Sequence, residues 1–191
     1  KLEIPGAAEF DNKGLTYCAS SDGPLFADQD VVVVGGGNAA LETSAQLLAY
    51  CKSVTLLNRT ETLRGDEITI DKLKQNPKFK IVLNAVTKEI KGDKFVNGIV
   101  YEDAVSKENI SLPVAAVFVE IGLIPTTYFA KNILELNAIG QIPVDPRNQK
   151  TNVNGIWAAG DCTNGLYHQN NIASGDAVKA LEDIYMELHT R

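Results

Sequence analysis

The stretch DVVVVGGGNAALETSAQLLAYCKSVTLLNR, residues 30–59, leaves few folds open. Val31–Val34 is an unbroken run of β-branched side chains, which suit the pleated surface of a strand. A strand with no apolar–polar alternation is buried on both faces, the condition of a parallel sheet covered by further layers. Gly35, Gly36 and Gly37 stop the run. Ala39, Ala40, Ala45, Leu47 and Leu48 then recur at helical spacing through Tyr50, and Ser53–Leu57 is a second strand. The pattern predicts a β-turn-α-β unit, since parallel neighbours need a crossover.

The turn itself reads Gly35-x-Gly37-x-x-Ala40, a dinucleotide fingerprint placed after a strand and opening a helix. Gly35 permits the tight turn, Gly37 lets the backbone approach a pyrophosphate, and Ala40 keeps helix and strand close. Phosphates would sit at the helix N-terminus, where free N–H groups and the helix dipole favour anions. The alternative is a glycine-rich turn that only packs a helix onto a strand. At the end of the second strand, an acid suits the ribose 2′-OH of NAD and a base the 2′-phosphate of NADP. Here the residues are Asn58, Arg59 and later Arg64, with no acid before Glu61. Arginine forks match phosphate geometry, so NADPH is expected, with NADH open and ordinary surface charges as the other account of the arginines.

Beyond this unit, the pattern predicts a helix over 67–75 ended by Asn76-Pro77 and a strand over 79–86. Residues 87–113 read as an antiparallel meander inserted into the parallel sheet, and 114–122 as a further buried strand. Gly122 and Pro125 mark a change of composition, read as a domain boundary. After it come short strands near Ile142–Val144 and Ile156–Ala159, then a final helix with a stripe of Ile172, Ala173, Ala177, Ala180, Leu181, Ile184 and Leu188. Two weak strands and a helix are poorly equipped to form a sheet, so this piece is expected to complete a domain whose other part lies outside the chain. The abrupt start at KLEIPG, with no strand signal before it, suggests a fragment.

Bulk properties exclude several classes. No apolar run approaches the about 20 residues of a membrane span, and the start is no signal peptide, so a cytoplasmic setting is expected. A net charge of −6, scattered in ones and twos, argues against nucleic-acid binding. Three widely spaced cysteines and two histidines form neither a disulfide framework nor a metal-ligand spacing, so no metal is expected. Cys51 and Cys162 are read as small hydrophobes. Cys18, followed by Ser21 and Asp22, is on its own a loop thiol beside an acid. Asp161 after Gly160 reads on its own as an Asp turn. Gln169 and Asn170 lie just before the final helix, whose positive end can stabilise negative charge.

With these pieces in place the chain resembles the thioredoxin reductase family, including the flavoprotein subunit of alkyl hydroperoxide reductase. IPG (4–6) is similar to the family's inter-domain linker, and YCASSDG (17–23) to its Cys-x-x-Cys-Asp-Gly. VVGGGNAALE (33–42) resembles the NADPH loop; LNRTETLR (57–64) resembles its arginine phosphate clamp, with Asn58 and Thr60 replacing two members. VEIGLIPTT (119–127) resembles the crossover between domains, and NGIWAAGDC (154–162) with YHQNNIASG (167–175) the second flavin motif.

The resemblance implies an α/β fold: a Rossmann-like NAD(P)-binding domain, with a parallel sheet and antiparallel meander, plus the C-terminal part of a split FAD-binding domain. It implies a linker at 1–12, the nucleotide domain at 13–120 and the flavin-domain part at 121–191. The family's first Gly-x-Gly-x-x-Gly, for FAD, has no counterpart here, so tight FAD binding is expected to need that further part. Implied cofactor contacts are Gly35, Gly36, Gly37, Asn38, Ala39, Ala40, Glu42, Asn58, Arg59, Arg64, Ile121 and Gly122 for NADPH. For FAD they are Gly160, Asp161, His168, Gln169 and Asn170, although His168 alone could be a surface residue. Cys18, Ser21 and Asp22 stand at the redox centre, with a thioredoxin-like protein or another redox partner, and a homodimer in the full-length protein. Resolution of a mixed disulfide needs a second thiolate, and Ser21 has none. It reads as an engineered replacement, as natural in a reductase that passes flavin electrons to a ferredoxin- or flavodoxin-type acceptor, or as a sign of a non-catalytic nucleotide-binding fragment.

Overall fold

The computed structural model describes residues 2–122 and 124–189. The chain divides into two compact units, Lys1–Gly122 and Leu123–Arg191. In the first, a five-stranded parallel sheet is built from β1 (Leu15–Thr16), β2 (Asp30–Val34), β3 (Ser53–Leu57), β4 (Phe79–Val82) and β8 (Ala116–Val119). The strand order is β1-β8-β2-β3-β4. A short α1 (Ala19–Asp22) precedes β2; α2 (Asn38–Leu47) carries the crossover from β2 to β3, and α3 (Glu67–Lys74) that from β3 to β4.

The continuous apolar run has the burial it predicts. Val31 and Val33 point into a cluster with Ala40, Leu41 and Leu47 of α2, while Val32 and Val34 point into a second cluster with Ile90, Ile99 and Tyr101. All four are buried, at on the order of 1.5–3 kcal/mol each relative to exposure. Helix α2 ends sooner than the periodicity predicts, at Leu47. Helix α3 begins after Asp66, whose carboxylate accepts from the Thr69 N–H at 2.7 Å.

The second cluster lies between the parallel sheet and a separate three-stranded antiparallel sheet: β5 (Ala85–Gly92), β6 (Val96–Asp103) and β7 (Asn109–Leu112). The meander is thus not inserted into the parallel sheet but covers one of its faces. The single strand expected over 79–86 is two strands in different sheets. Asn84 turns the chain out with a φ of 56°, a conformation asparagine tolerates better than most residues. The N-terminal stretch is tied to this sheet, because the Ile90 N–H donates to the Pro5 carbonyl at 3.0 Å. Gly6 is required there: at a φ of +79° its added Cβ would lie 2.1 Å from the Ile90 carbonyl oxygen.

The second unit holds a small cluster of Ala130, Leu134 and Ile142, with Ile156, Ala158 and Cys162 packed against it. The strands expected at 142–144 and 156–159 are reduced to isolated bridges, Ile142 with Thr163 and Lys150 with Trp157. α4 (Asn170–His189) forms as expected, but of its apolar stripe only Ala180 is buried. The helix is held instead by its polar side. The Trp157 Nε1–H donates to Asp183 at 2.9 Å, and the Lys150 ammonium lies 2.8 Å from Glu187 and 3.3 Å from Asp183.

Candidate functional site

The C-terminal ends of β2, β3 and β8 open onto a cleft of about 560 Å³. Gly35, Gly36, Gly37, Asn38 and Ala39 line it from the first strand, Asn58, Arg59, Thr60 and Arg64 from the second, and Glu120, Ile121 and Gly122 from the third. It lies where the strand order reverses beside β2, the place where open α/β sheets bind ligands.

Each glycine has its own reason. Gly35 adopts a φ of +152°, and an added Cβ would meet the Glu120 carbonyl oxygen at 2.3 Å and the Ala40 Cβ at 3.0 Å. It is therefore fixed by packing, with Ala40 completing the close approach. At Gly36 the added atom would lie 2.2 Å from Oδ1 of Asn58. At Gly37 it would meet nothing within 4 Å, so this backbone is open to a ligand. Gly37 is also the N-cap of α2 and supplies no side-chain cap, leaving first-turn N–H groups for an anion.

The second wall is organised by Asn58, which is buried. Its Nδ2 donates to the Thr62 carbonyl at 2.8 Å, the Thr60 carbonyl at 2.9 Å and the Thr60 hydroxyl at 3.1 Å. An amide NH2 with three acceptors around it has no donor to spare, so Asn58 shapes the loop rather than offering its amide to a ligand. The Arg64 N–H donates to the Gly36 carbonyl at 2.7 Å, which joins the arginine loop to the glycine loop. Both arginine side chains are exposed. Asn38 likewise has a fastening role, since its Oδ1 accepts from the Asp66 N–H at 2.7 Å. Glu42 is exposed on α2 and does not line the cleft.

Glu120 escaped sequence reasoning. Its signal is a lone acid closing an otherwise apolar strand. It accepts a 2.7 Å hydrogen bond from the buried Thr43 hydroxyl. Burial holds its carboxyl above the ordinary range, against the Thr43 bond, with the charge of Glu42 adding to the rise.

Cys18, Ser21 and Asp22 share one turn elsewhere in the first unit. Cys18 precedes α1 and Ala19 is buried beneath it. The Thr16 hydroxyl donates to the Asp22 carboxylate, and the Cys18 N–H donates to the Thr16 oxygen at 3.4 Å. The Cys18 thiol is exposed. Hydrogen bonds from the Ser21 hydroxyl, and then from its backbone N–H, lower its pKa; burial and the nearby Asp22 charge oppose them.

In the second unit Gly160 has a φ of +79° and backs onto Ala173 of α4. Asp161 is exposed. His168 Nδ1 lies 3.8 Å from its carboxylate, too far for a hydrogen bond. Asn170 is the first residue of α4, not a residue before it, and the Gln169 carbonyl accepts from the Ala173 N–H at 2.9 Å. Among the described residues, no helix is long and apolar enough to cross a membrane.

By fold this is an α/β protein of Rossmann type carrying an added antiparallel sheet. The family model for pyridine nucleotide-disulphide oxidoreductases matches residues 1–177, and the chain belongs to that family. It is 44% identical over 177 residues to a protein named NADH dehydrogenase from Ferdinandcohnia aciditolerans, covering 93% of this chain and 34% of that protein. To a protein of Escherichia coli named as one of the subunits of alkyl hydroperoxide reductase it is 41% identical over 180 residues, covering 94% of this chain and 35% of that one. Thioredoxin reductase from Lactococcus lactis, in its FR conformation, has a similar structure, with a TM-score of 0.84 and 33% identity. That match covers 97% of this chain and 61% of the other. The chain thus spans about a third of the length of these curated relatives.

Proposed function

We propose that this chain is the NADPH-binding domain, followed by the C-terminal part of the FAD-binding domain, of a thioredoxin reductase-like flavoprotein oxidoreductase. Residues 1–12 serve as the linker, 13–120 as the nucleotide domain and 121–191 as the flavin-domain part. The observation that carries this reading is the cleft, with an uncapped helix N-terminus at Gly37 on one wall and Arg59 and Arg64 on the other. The first wall suits a pyrophosphate and the second a ribose 2′-phosphate. The names of the relatives support a reductase.

When bound, NADPH supplies a hydride that FAD accepts. The backbone of Gly35–Ala39 would hold the pyrophosphate, Arg59 and Arg64 would pair with the 2′-phosphate, and Ile121 and Gly122 would bound the far end. Gly160, Asp161, His168, Gln169 and Asn170 form the flavin contacts, Asp161 as acceptor and the α4 N-terminus as positive end. Asp22, held by Thr16, moves the proton at Cys18. The partner is a thioredoxin-like protein, the assembly a homodimer and the compartment the cytoplasm.

Titration calorimetry of the 191-residue chain with NADP+ and NAD+ tests the cofactor. NADP+ should bind at least about tenfold more tightly, and Arg59→Ala should remove most of that difference by weakening NADP+ alone. Equal losses for both nucleotides overturn the 2′-phosphate assignment.

Ser21 favours a second reading, a flavin reductase with no disulfide relay and a ferredoxin- or flavodoxin-type acceptor. Assays of the full-length, FAD-loaded protein with Ser21 and with Ser21→Cys separate the two. Disulfide reduction appearing only with Ser21→Cys supports a redox centre at this turn; reduction of a non-thiol acceptor alone, by both forms, supports the second.

A further inference from the structure

Among the described residues, Glu120 is the one acidic residue that lines the nucleotide cleft, and neither phosphate binding nor hydride transfer gives it a task. Its backbone is fixed on one side by a bond from its N–H to the Val34 carbonyl at 2.8 Å. On another, its carbonyl oxygen backs onto Gly35, where it blocks any Cβ. Its side chain is held through Oε1 by the Thr43 hydroxyl. A long side chain tied at both ends costs little entropy to orient, so this is a placed charge.

Strand order says which part of a dinucleotide it faces. In a fold of this kind the end of the strand after the crossover helix takes the adenosine ribose, and the glycine loop takes the pyrophosphate. Here those are β3 and β2, so the nicotinamide half extends to the other side of β2, over β8. Glu120 directly follows β8, beside Ile121 and Gly122. The cationic groups of the cleft, Arg59 and Arg64, lie on the opposite, β3 side. The other charge acting on Glu120 is that of Glu42 on α2, again negative. Among the described residues, the acid on the nicotinamide side of the cleft is therefore Glu120 alone, half-buried, and burial strengthens a charge's reach. The oxidised nicotinamide ring carries a positive charge and the reduced ring is neutral.

We propose that Glu120 selects the redox state of the bound nucleotide, its carboxylate favouring the cationic oxidised nicotinamide over the neutral reduced one. This rests on the cleft being a pyridine-dinucleotide site. The consequence is directional: tighter binding of the oxidised form favours hydride loss from bound NADPH and slows release of the oxidised product. Because Glu120 ionises as pH rises, the preference grows with pH; protonation at low pH removes it.

The test is titration calorimetry of the chain and its Glu120→Gln variant with NADP+, NADPH and 2′,5′-ADP, which lacks nicotinamide. Gln keeps the size and the acceptor oxygen for Thr43. Glu120→Gln should lower the preference for NADP+ over NADPH by about fivefold or more, chiefly through weaker NADP+ binding, and leave 2′,5′-ADP unchanged. Repeated from pH 5 to pH 8, the preference should rise with pH in the unaltered chain and stay flat in the variant. An unchanged preference with all three probes still bound overturns the role of Glu120 and leaves the dinucleotide reading standing. Equal weakening of all three, 2′,5′-ADP included, reduces Glu120 to a structural residue. If no probe binds the unaltered chain, the dinucleotide reading falls and this assignment with it.

Discussion

The Asn58 amide donates to the Thr62 carbonyl at 2.8 Å while the Asn58 Oδ1 crowds Gly36, so one buried side chain sets both the arginine loop and the glycine loop. Asn58→Asp keeps the shape but turns donors into acceptors facing two carbonyls, and sets a carboxylate beside the 2′-phosphate position. Its preference for NADP+ over NAD+ should fall by about tenfold or more. Asn58→Ala should lower unfolding free energy by about 1–3 kcal/mol in urea titrations, the cost of losing a buried side chain that fastens the loop through three hydrogen bonds. Retained NADP+ preference in Asn58→Asp contradicts this role.

Gly35 and Gly37 should separate stability from binding. Gly35→Ala forces a Cβ into the Glu120 carbonyl oxygen, and overpacking against backbone in a strained conformation should cost several kcal/mol, about 3 or more, in urea titrations. Gly37→Ala enters open space at a φ of −99°. As the loss of an N-cap glycine it should cost only about 1 kcal/mol of stability, well below Gly35→Ala, while NADP+ affinity drops as the methyl group obstructs the pyrophosphate. A Gly37→Ala chain with full affinity would show that the ligand does not approach there.

The three thiols should differ in alkylation. Iodoacetamide reacts with the thiolate, and Cys18 is exposed with a lowered pKa, whereas burial pushes Cys51 up to about 11. Mass spectrometry of the native chain should find Cys18 modified first and Cys51 last. Ser21→Ala removes the largest stabiliser of the Cys18 thiolate, so the midpoint of its rate-versus-pH curve should move upward. An unmoved midpoint shows that Ser21 does not act on Cys18.

What the sequence disclosed was what short-range pattern encodes. The valine run, the glycine turn and the helical alanines lie within 30–59 and carry their own signals, so β2, α2 and β3 were legible, as was the fingerprint within them. The division of 79–86 into two sheets was not, because it hangs on the left-handed turn at Asn84 inside an apolar stretch. Nor was the orientation of α4: its period marks an apolar stripe, but the Trp157–Asp183 bond presents the polar side to its own unit. Asn58 read as a member of a phosphate clamp, yet its acceptors lie two and four residues ahead, in a loop whose shape the sequence does not show. Glu120 looked like the end of a strand; only the distant Thr43 reveals that its carboxylate is held.

The central claim, that the ends of β2, β3 and β8 form a pyridine-dinucleotide site, is tested most directly by amide chemical-shift mapping of the chain titrated with NADP+. The account predicts saturable shifts at Gly35–Ala40, Asn58–Arg64 and Glu120–Gly122, with the rest of the first unit little changed. Shifts confined to other residues, or none at millimolar nucleotide, would contradict it.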